Sequence, residues 1–243
     1  MHVIYVEVTK SEVSLTFSNK KLLIFDLDGT LIDSVPDLAE AVNFMLQELQ
    51  QTPFSIDIIR GWVGNGAETL VKRALSSSAD INTQLDNVLV TQALSVFLKY
   101  YANNLANTTR TYPHVKETLL TLKEQGYSMS IVTNKPIAFV APILTALELD
   151  GLFELILGGD SLAVKKPDPL PLLHTCKALG FSIAESLMIG DSKNDIIAAN
   201  AAKMESIGVT YGYNYDEDIK TFSPTTVIDD FQAILTLLPG TKF

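Results

Sequence analysis

Residues 21–34 read KLLIFDLDGTLIDS. Leu22 to Phe25 form an apolar run of strand length without alternation, closed by Asp26, Asp28 and a turn at Gly29, as in a buried parallel strand. In open parallel sheets the chemistry sits at such carboxyl ends. Upstream, residues 1–20 alternate at Val3, Tyr5 and Glu7 before Ser18, Asn19 and two lysines, which suggests a short strand or a loosely attached extension with no assigned chemistry. Downstream, from Ser34 to about Asn107, the pattern is helical. Ser34 with Asp37 makes a capping box with Pro36 in the first turn, and Leu38, Val42, Met45 and Leu49 share a face. A second helix follows Gly64-Asn65-Gly66, and a third is expected from about Asn82 to Tyr101 with Leu85, Leu89, Val96 and Tyr100 on its stripe.

Beyond residue 107 helices and strands alternate strictly. Helices at about 115–125, 136–149, 169–179 and 193–202 precede the strands YSMSIVTN, LFELILGGD, SLMIGD and ESIGVTYG, and a last strand, TTVID, precedes a final helix. Strands separated in this way imply right-handed crossovers and an α/β fold with a doubly wound, mainly parallel Rossmann-like sheet. The expected division is an extension at 1–20, a core made of 21–33 and 107–243, and a helical insertion at 34–106.

The chain of 243 residues is 47% hydrophobic and 19% charged, a globular balance with room for a substantial core. Its net charge of −10 repels polyanions and argues against nucleic acid or an anionic membrane surface as partner. Cys176 is the single cysteine, so no internal disulfide forms. The start MHVIYVEVTK lacks the features of an export signal, and no apolar run reaches the ~18 residues of a membrane span. A cytoplasmic protein, monomeric or homodimeric, is expected.

Three strands end in complementary polar residues: Asp26 and Asp28, then Thr133 and Asn134, then Asp191 and, a turn later, Asp195. Gathered along one sheet edge, these acids would repel one another without a cation. All-oxygen ligands suit a hard ion, with Mg2+ the natural occupant. The loop GGDSLAVKKPDP adds Lys165 and Lys166. Cation, lysine and hydrogen-bond donors together describe a phosphoryl site.

In order and spacing, DLDGTLIDS, VTNKP, KKPDP and GDSKND resemble the four motifs of the haloacid dehalogenase-like hydrolase superfamily, over nearly all of the chain from Lys21, with residues 34–106 similar to its helical cap. The resemblance implies a phospho-enzyme mechanism. Asp26 is then the nucleophile and Asp28 the general acid and base. Asp26, Asp191 and the backbone carbonyl of Asp28 hold Mg2+, while Asp195 holds a metal-bound water or Lys166. Thr133, Asn134 and Lys166 bind the phosphate, and Lys166 is preferred to Lys165 because it directly precedes Pro167-Asp168-Pro169. Asp28 at the second acid position favours a phosphatase or phosphomutase over a dehalogenase. RGWVGNGAETLVKRAL from Arg60, GGDSLAVKKPDPLPLL and VTYGYN resemble the phosphoglycolate phosphatase family, which implies a small phosphorylated carboxylate as substrate. A sugar-phosphate phosphatase or mutase of the superfamily and a non-catalytic phospholigand-binding scaffold are the alternatives. His114 departs from the glycine expected there.

Within the insertion, Arg60 and Asn65 are candidate contacts for the substrate carboxylate. Arg60 reads more readily as a solvated helix arginine, and Gly64-Asn65-Gly66 equally as a tight interhelical turn. Lys72 reads as a surface lysine and Trp62 as packing. His2, His114 and His174 lack metal-ligand spacing, and Cys176 reads as a buried thiol.

Overall fold

The computed structural model describes residues 16–215 and 217–239. Its strands are β1 (Leu22–Phe25), β2 (Ile32–Asp33), β3 (Arg110–Thr111), β4 (Ser128–Val132), β5 (Leu155–Leu157), β6 (Ser186–Gly190), β7 (Glu205–Val209) and β8 (Thr226–Ile228). Its helices are α1 (Val35–Glu48), α2 (Ile56–Arg60), α3 (Ala67–Ser76), α4 (Asn87–Asn103), α5 (Val115–Glu124), α6 (Ile137–Ala146), α7 (Leu170–Leu179), α8 (Lys193–Ala201) and the short α9 (Ile234–Leu237).

Six strands form one sheet in the order β5-β4-β1-β6-β7-β8, parallel throughout. β1 lies at its centre, with Phe25 opposite Ile131 of β4 and Ile189 of β6. All four β1 side chains are buried because both faces are covered: Leu23 and Phe25 enter the larger core, and Leu22 and Ile24 enter the smaller one. This double burial is why LLIF shows no alternation. The chain winds from β1 through β4 to the β5 edge, then crosses to β6 and winds the other way. The carboxyl ends of β1, β4 and β6 therefore meet at the switch of winding, where an open parallel sheet presents its crevice.

α1 to α4 lie between β2 and β3, with α4 packed against both α1 and α3. β2 and β3 pair antiparallel, Ile32 with Thr111 and Asp33 with Arg110, where the chain leaves and re-enters the sheet. Neither strand is readable beforehand, since two residues carry no periodicity, and α2 is a fourth helix where three were expected.

Two local expectations are corrected. The Ser34–Asp37 capping box is absent: Ser34 Oγ donates to Asp28, while Asp37 accepts from the amides and hydroxyls of Thr108 and Thr109. The third helix begins at Asn87, because the Asp86 side chain accepts from Val88 N and caps it there. Its inward stripe is Val90, Ala93, Phe97 and Tyr101, one residue on from the stripe expected at Leu89, Val96 and Tyr100.

The alternation around Val3 to Glu7 lies outside the described residues. Residues 16–20 are firmly attached: Phe17 is buried with its N–H on Leu237 O at 2.8 Å, and Lys20 pairs with Glu205 at 2.7 Å. At the start of α5, His114 takes a φ of 62°, the left-handed region that favours glycine, and its ring lies 3.0 Å from Asp230. No helix among the described residues is long and apolar enough to cross a membrane.

Candidate active site

Asp26 directly follows β1 and continues its pairing, its N–H donating to Ile189 O at 2.9 Å. The chain then wraps around Asp191, the residue after β6. Gly29 has φ 90°, and a Cβ there would lie 2.2 Å from Asp191 Oδ2, so glycine alone fits. Thr30 Oγ1 donates to Asp191 Oδ1 at 2.9 Å, and Tyr213 N donates to Oδ2 at 2.8 Å.

Asp195 sits in the first turn of α8, where its Oδ2 accepts from Ser192 N at 3.0 Å and Ser192 Oγ at 2.9 Å. Its Oδ1 accepts from Lys166 Nζ at 2.6 Å. The same ammonium lies 3.0 Å from Asp26 Oδ1, although that oxygen is buried without a well-directed hydrogen bond. Lys165 points elsewhere, donating to Asn65 O at 2.7 Å.

One ammonium thus pairs with two of the three clustered buried carboxylates, Asp26 and Asp195. Burial raises Asp26 to about 7, with Lys166 opposing and Asp195 adding to the rise. Burial, then Asp195 and Asp26, push Asp191 well above the carboxylate range. For Lys166, burial works against the charge, but Asp195 and Asp26 outweigh it and raise its pKa. Asp26, Asp191 and Asp195 each offer an oxygen within 4.8 Å of the others. Hard oxygen donors, a surplus of negative charge and an unsatisfied buried oxygen on Asp26 all fit Mg2+. Both Asp195 oxygens are already engaged, so it stands behind Asp26 and Asp191.

Asp28 occupies a different environment. Its carboxylate leaves this cluster, accepting from Ser34 Oγ and from Lys135 Nζ at 3.0 Å. Lys135, buried, also donates to Tyr101 OH of α4 at 2.8 Å. Burial works against that ammonium as well, but Asp28 and Tyr101 hold its pKa above the ordinary lysine range. Neither Lys135 nor Tyr101 is among the sequence candidates. Lys135 lies within VTNKP, but only the packing of α4 reveals that it is buried beside an acid.

Thr133 is buried at the end of β4, and Asn134 donates from Nδ2 to Lys166 O at 2.9 Å and Gly64 O at 3.1 Å. A cavity of about 40 Å³ opens between Asp26, Asp28, Thr133 and Asn134 on one side and Gly64, Gly66 and α4 on the other. By the usual measure of one probe sphere per water, it accommodates a few waters or a small anion. Arg60 and Asn65 do not line it. The Arg60 guanidinium lies 3.4 Å from Asp33 and over the Tyr213 ring, while the Asn65 carboxamide accepts from Tyr215 OH at 2.7 Å. Lys72 pairs with Glu68, Trp62 packs against Phe54, and Cys176 is buried.

The model of the haloacid dehalogenase-like hydrolase family matches residues 23–209. The chain belongs to the haloacid dehalogenase-like hydrolases. Within them it falls in the phosphoglycolate phosphatase family. It is 50% identical over 224 residues to a phosphoglycolate phosphatase of Colwellia psychrerythraea, covering 92% of this chain and 99% of that protein. It is 48% identical over 219 residues to one of Haemophilus influenzae, covering 90% and 98%. A crystal structure of a predicted phosphoglycolate phosphatase from Haemophilus somnus superposes with a TM-score of 0.84 at 42% identity, covering 90% and 98%. This haloacid dehalogenase-like chain is a Mg2+-dependent phosphatase that works through an aspartyl-phosphate. Mg2+, when bound, offsets carboxylate charge and polarises a phosphoryl oxygen.

Proposed function

We propose that this phosphatase hydrolyses 2-phosphoglycolate to glycolate and inorganic phosphate. The contrast between Asp26 and Asp28 carries the mechanistic part of the reading: one carboxylate sits with Lys166 in the acidic cluster, while the other faces the cavity beside Lys135. The names of the relatives support the substrate.

In this reading Asp26 Oδ attacks phosphorus in line, and the ester P–O bond breaks as the leaving oxygen takes a proton from Asp28. Asp28 then removes a proton from water as that water attacks the aspartyl-phosphate. Asp26 is regenerated and phosphate leaves. Thr133, Asn134 and Lys166 hold the non-bridging oxygens, with Lys166 countering the negative charge that shifts in the transition state. Asp26, Asp191 and the Asp28 carbonyl hold Mg2+, with Asp195 orienting Lys166 behind them. Residues 34–106 act as a cap over the core, and closure excludes bulk water.

Phosphate release from a panel of monoesters tests the substrate. 2-Phosphoglycolate is expected to give the highest kcat/KM, and a clear preference for hexose phosphates would overturn the reading.

A further inference from the structure

Lys135 has no part in the chemistry above, yet it is buried in the wall of the cavity. It is the one cation lining that cavity among the described residues. Lys166 is committed to Asp26, Asp195 and the phosphate side of the site, and Arg60 is engaged with Asp33. Much of the remaining wall is apolar, with Leu38 of α1, Leu70 of α3, Phe97 of α4 and Phe139 of α6. A carboxylate entering such a space must find a positive partner or lose its hydration uncompensated.

Lys135 is placed to be that partner. Its Nζ lies 3.0 and 3.3 Å from Asp28 Oδ1 and Oδ2 and 2.8 Å from Tyr101 OH. An ammonium has three N–H donors; when one is shared by the two Asp28 oxygens, or Asp28 carries the proton it is to donate, a third is released to a ligand while Asp28 and Tyr101 fix the position of the group. Since Asp28 protonates the leaving oxygen, a cation bonded to Asp28 stands on the leaving-group side. In glycolate the carboxylate is only one carbon removed from that oxygen. The first turn of α3 opens onto the same cavity at Gly66 and Ala67 with no side-chain cap, adding the positive end of a helix.

We infer that Lys135 is the specificity-determining residue that receives the substrate's non-reacting carboxylate. This rests on the substrate reading above and assigns the group that enforces it. A neutral leaving group leaves the ammonium to Asp28 and Tyr101, whereas a carboxylated one gains a charge-assisted hydrogen bond in a site shielded from water.

The test is the ratio of kcat/KM for 2-phosphoglycolate to that for ethyl phosphate, an analogue of similar size that lacks the carboxylate, at saturating Mg2+. In Lys135→Met the ratio is expected to fall about 10- to 100-fold, mainly through KM for 2-phosphoglycolate. Lys135→Arg, which keeps the charge, is expected to recover part of it. Competitive inhibition by inorganic phosphate reports whether the phosphate subsite of each variant is intact. If Lys135→Met fails to fold, Lys135→Gln, which is uncharged but polar, is expected to show the same collapse. A ratio unchanged within about twofold, with both substrates slowed alike, overturns the inference, because Lys135 then acts through Asp28 alone. A wild-type ratio near one removes the substrate reading itself, and is seen before any variant is made.

Discussion

Asp195 Oδ1 lies 2.6 Å from Lys166 Nζ, joining the first turn of α8 to the loop that follows β5. Both side chains are essentially inaccessible to water, at 0% and 1% exposure, so the pair is not a screened surface contact. Removing one partner of a buried pair costs about 3–5 kcal/mol when the other charge is left uncompensated, and with Asp26 still 3.0 Å from Lys166 the cost lies at the low end of that range. Asp195→Ala is therefore expected to lose stability of that order in urea unfolding and to turn over at least about tenfold more slowly as Lys166 loses its anchor. A loss under about 1 kcal/mol with normal turnover would show that the pair is dispensable.

Asp26→Asn removes the proposed nucleophile and leaves the side-chain volume almost unchanged. Turnover and covalent phosphate on the protein, trapped by acid quench and seen by mass, should both disappear while the circular dichroism spectrum is retained. Normal turnover by this variant would end the aspartyl-phosphate assignment to Asp26.

The same carboxyl sets a pH dependence in the metal-free protein. Burial raises it to about 7 from 3.8, so between these values the folded state holds a proton that the unfolded chain has released. Stability in chelator should thus fall as pH rises through that window, with Asp191, raised in the same direction, adding to the fall. Asp26→Asn should make that decline shallower. Mg2+ requires the ionised form, so its stabilising effect should be larger at about pH 8 than at about pH 5. Asp191→Ala is expected to lose most of the Mg2+-dependent Tm shift. A shift independent of both pH and Asp191 would place the metal elsewhere.

The sheet is legible in the sequence because a strand covered on both faces favours apolar residues, unbroken in LLIF and interrupted only by small serines in SMSIV and SLMIG. Its chemistry is legible for a related reason, since polar residues at the ends of those runs stand out and parallel topology brings them together. What escapes depends on packing between distant segments. Lys135 becomes an inward group only because Tyr101 of α4 packs beside it, and that helix's face was expected one residue out of phase. Asp37 reads as a helix-capping acid by position, yet its partners lie 71 and 72 residues away.

Asp37 binds the start of α1 to the segment that returns from α4 to the sheet. Its Oδ2 accepts from Thr109 N at 2.9 Å and Oγ1 at 2.6 Å, and its Oδ1 accepts from Thr108 N at 2.8 Å. Burial opposes ionisation, but the Thr108 and Thr109 hydrogen bonds outweigh it and hold the carboxyl below its ordinary value. A depressed pKa contributes stability that is fully present above the unfolded value and is lost as pH falls through the folded one. Asp37→Asn is expected to lose roughly 1–3 kcal/mol near neutral pH. The difference from wild type should shrink below about pH 4, and a pH-independent difference would rule out the ionised form as its source.

Tyr215 supplies a second tie between the inserted helices and the core. Its hydroxyl donates to Asn65 Oδ1 at 2.7 Å and accepts from Asn194 Nδ2 at 3.2 Å, while Asn194 Nδ2 also donates to Gly64 O at 3.2 Å. Gly64 has φ 120°, and a Cβ there would lie 2.4 Å from the Tyr215 hydroxyl, so glycine permits this close approach. The contact joins the turn before α3 to the first turn of α8 and the loop after β7 without touching Asp26 or Asp28. If closure over the cavity sets apparent affinity, losing this link lowers the closed population, and KM rises in proportion. A net hydrogen bond of about 1 kcal/mol corresponds to roughly fivefold, so Tyr215→Phe is expected to raise KM by about that factor and to change kcat little. Asn65→Ala should give a rise no larger than that, and the double variant should be little worse than Tyr215→Phe, which already lacks the bond that the two residues share. Effects that multiply in the double variant would mean that the two residues act separately, and the latch would have to be abandoned.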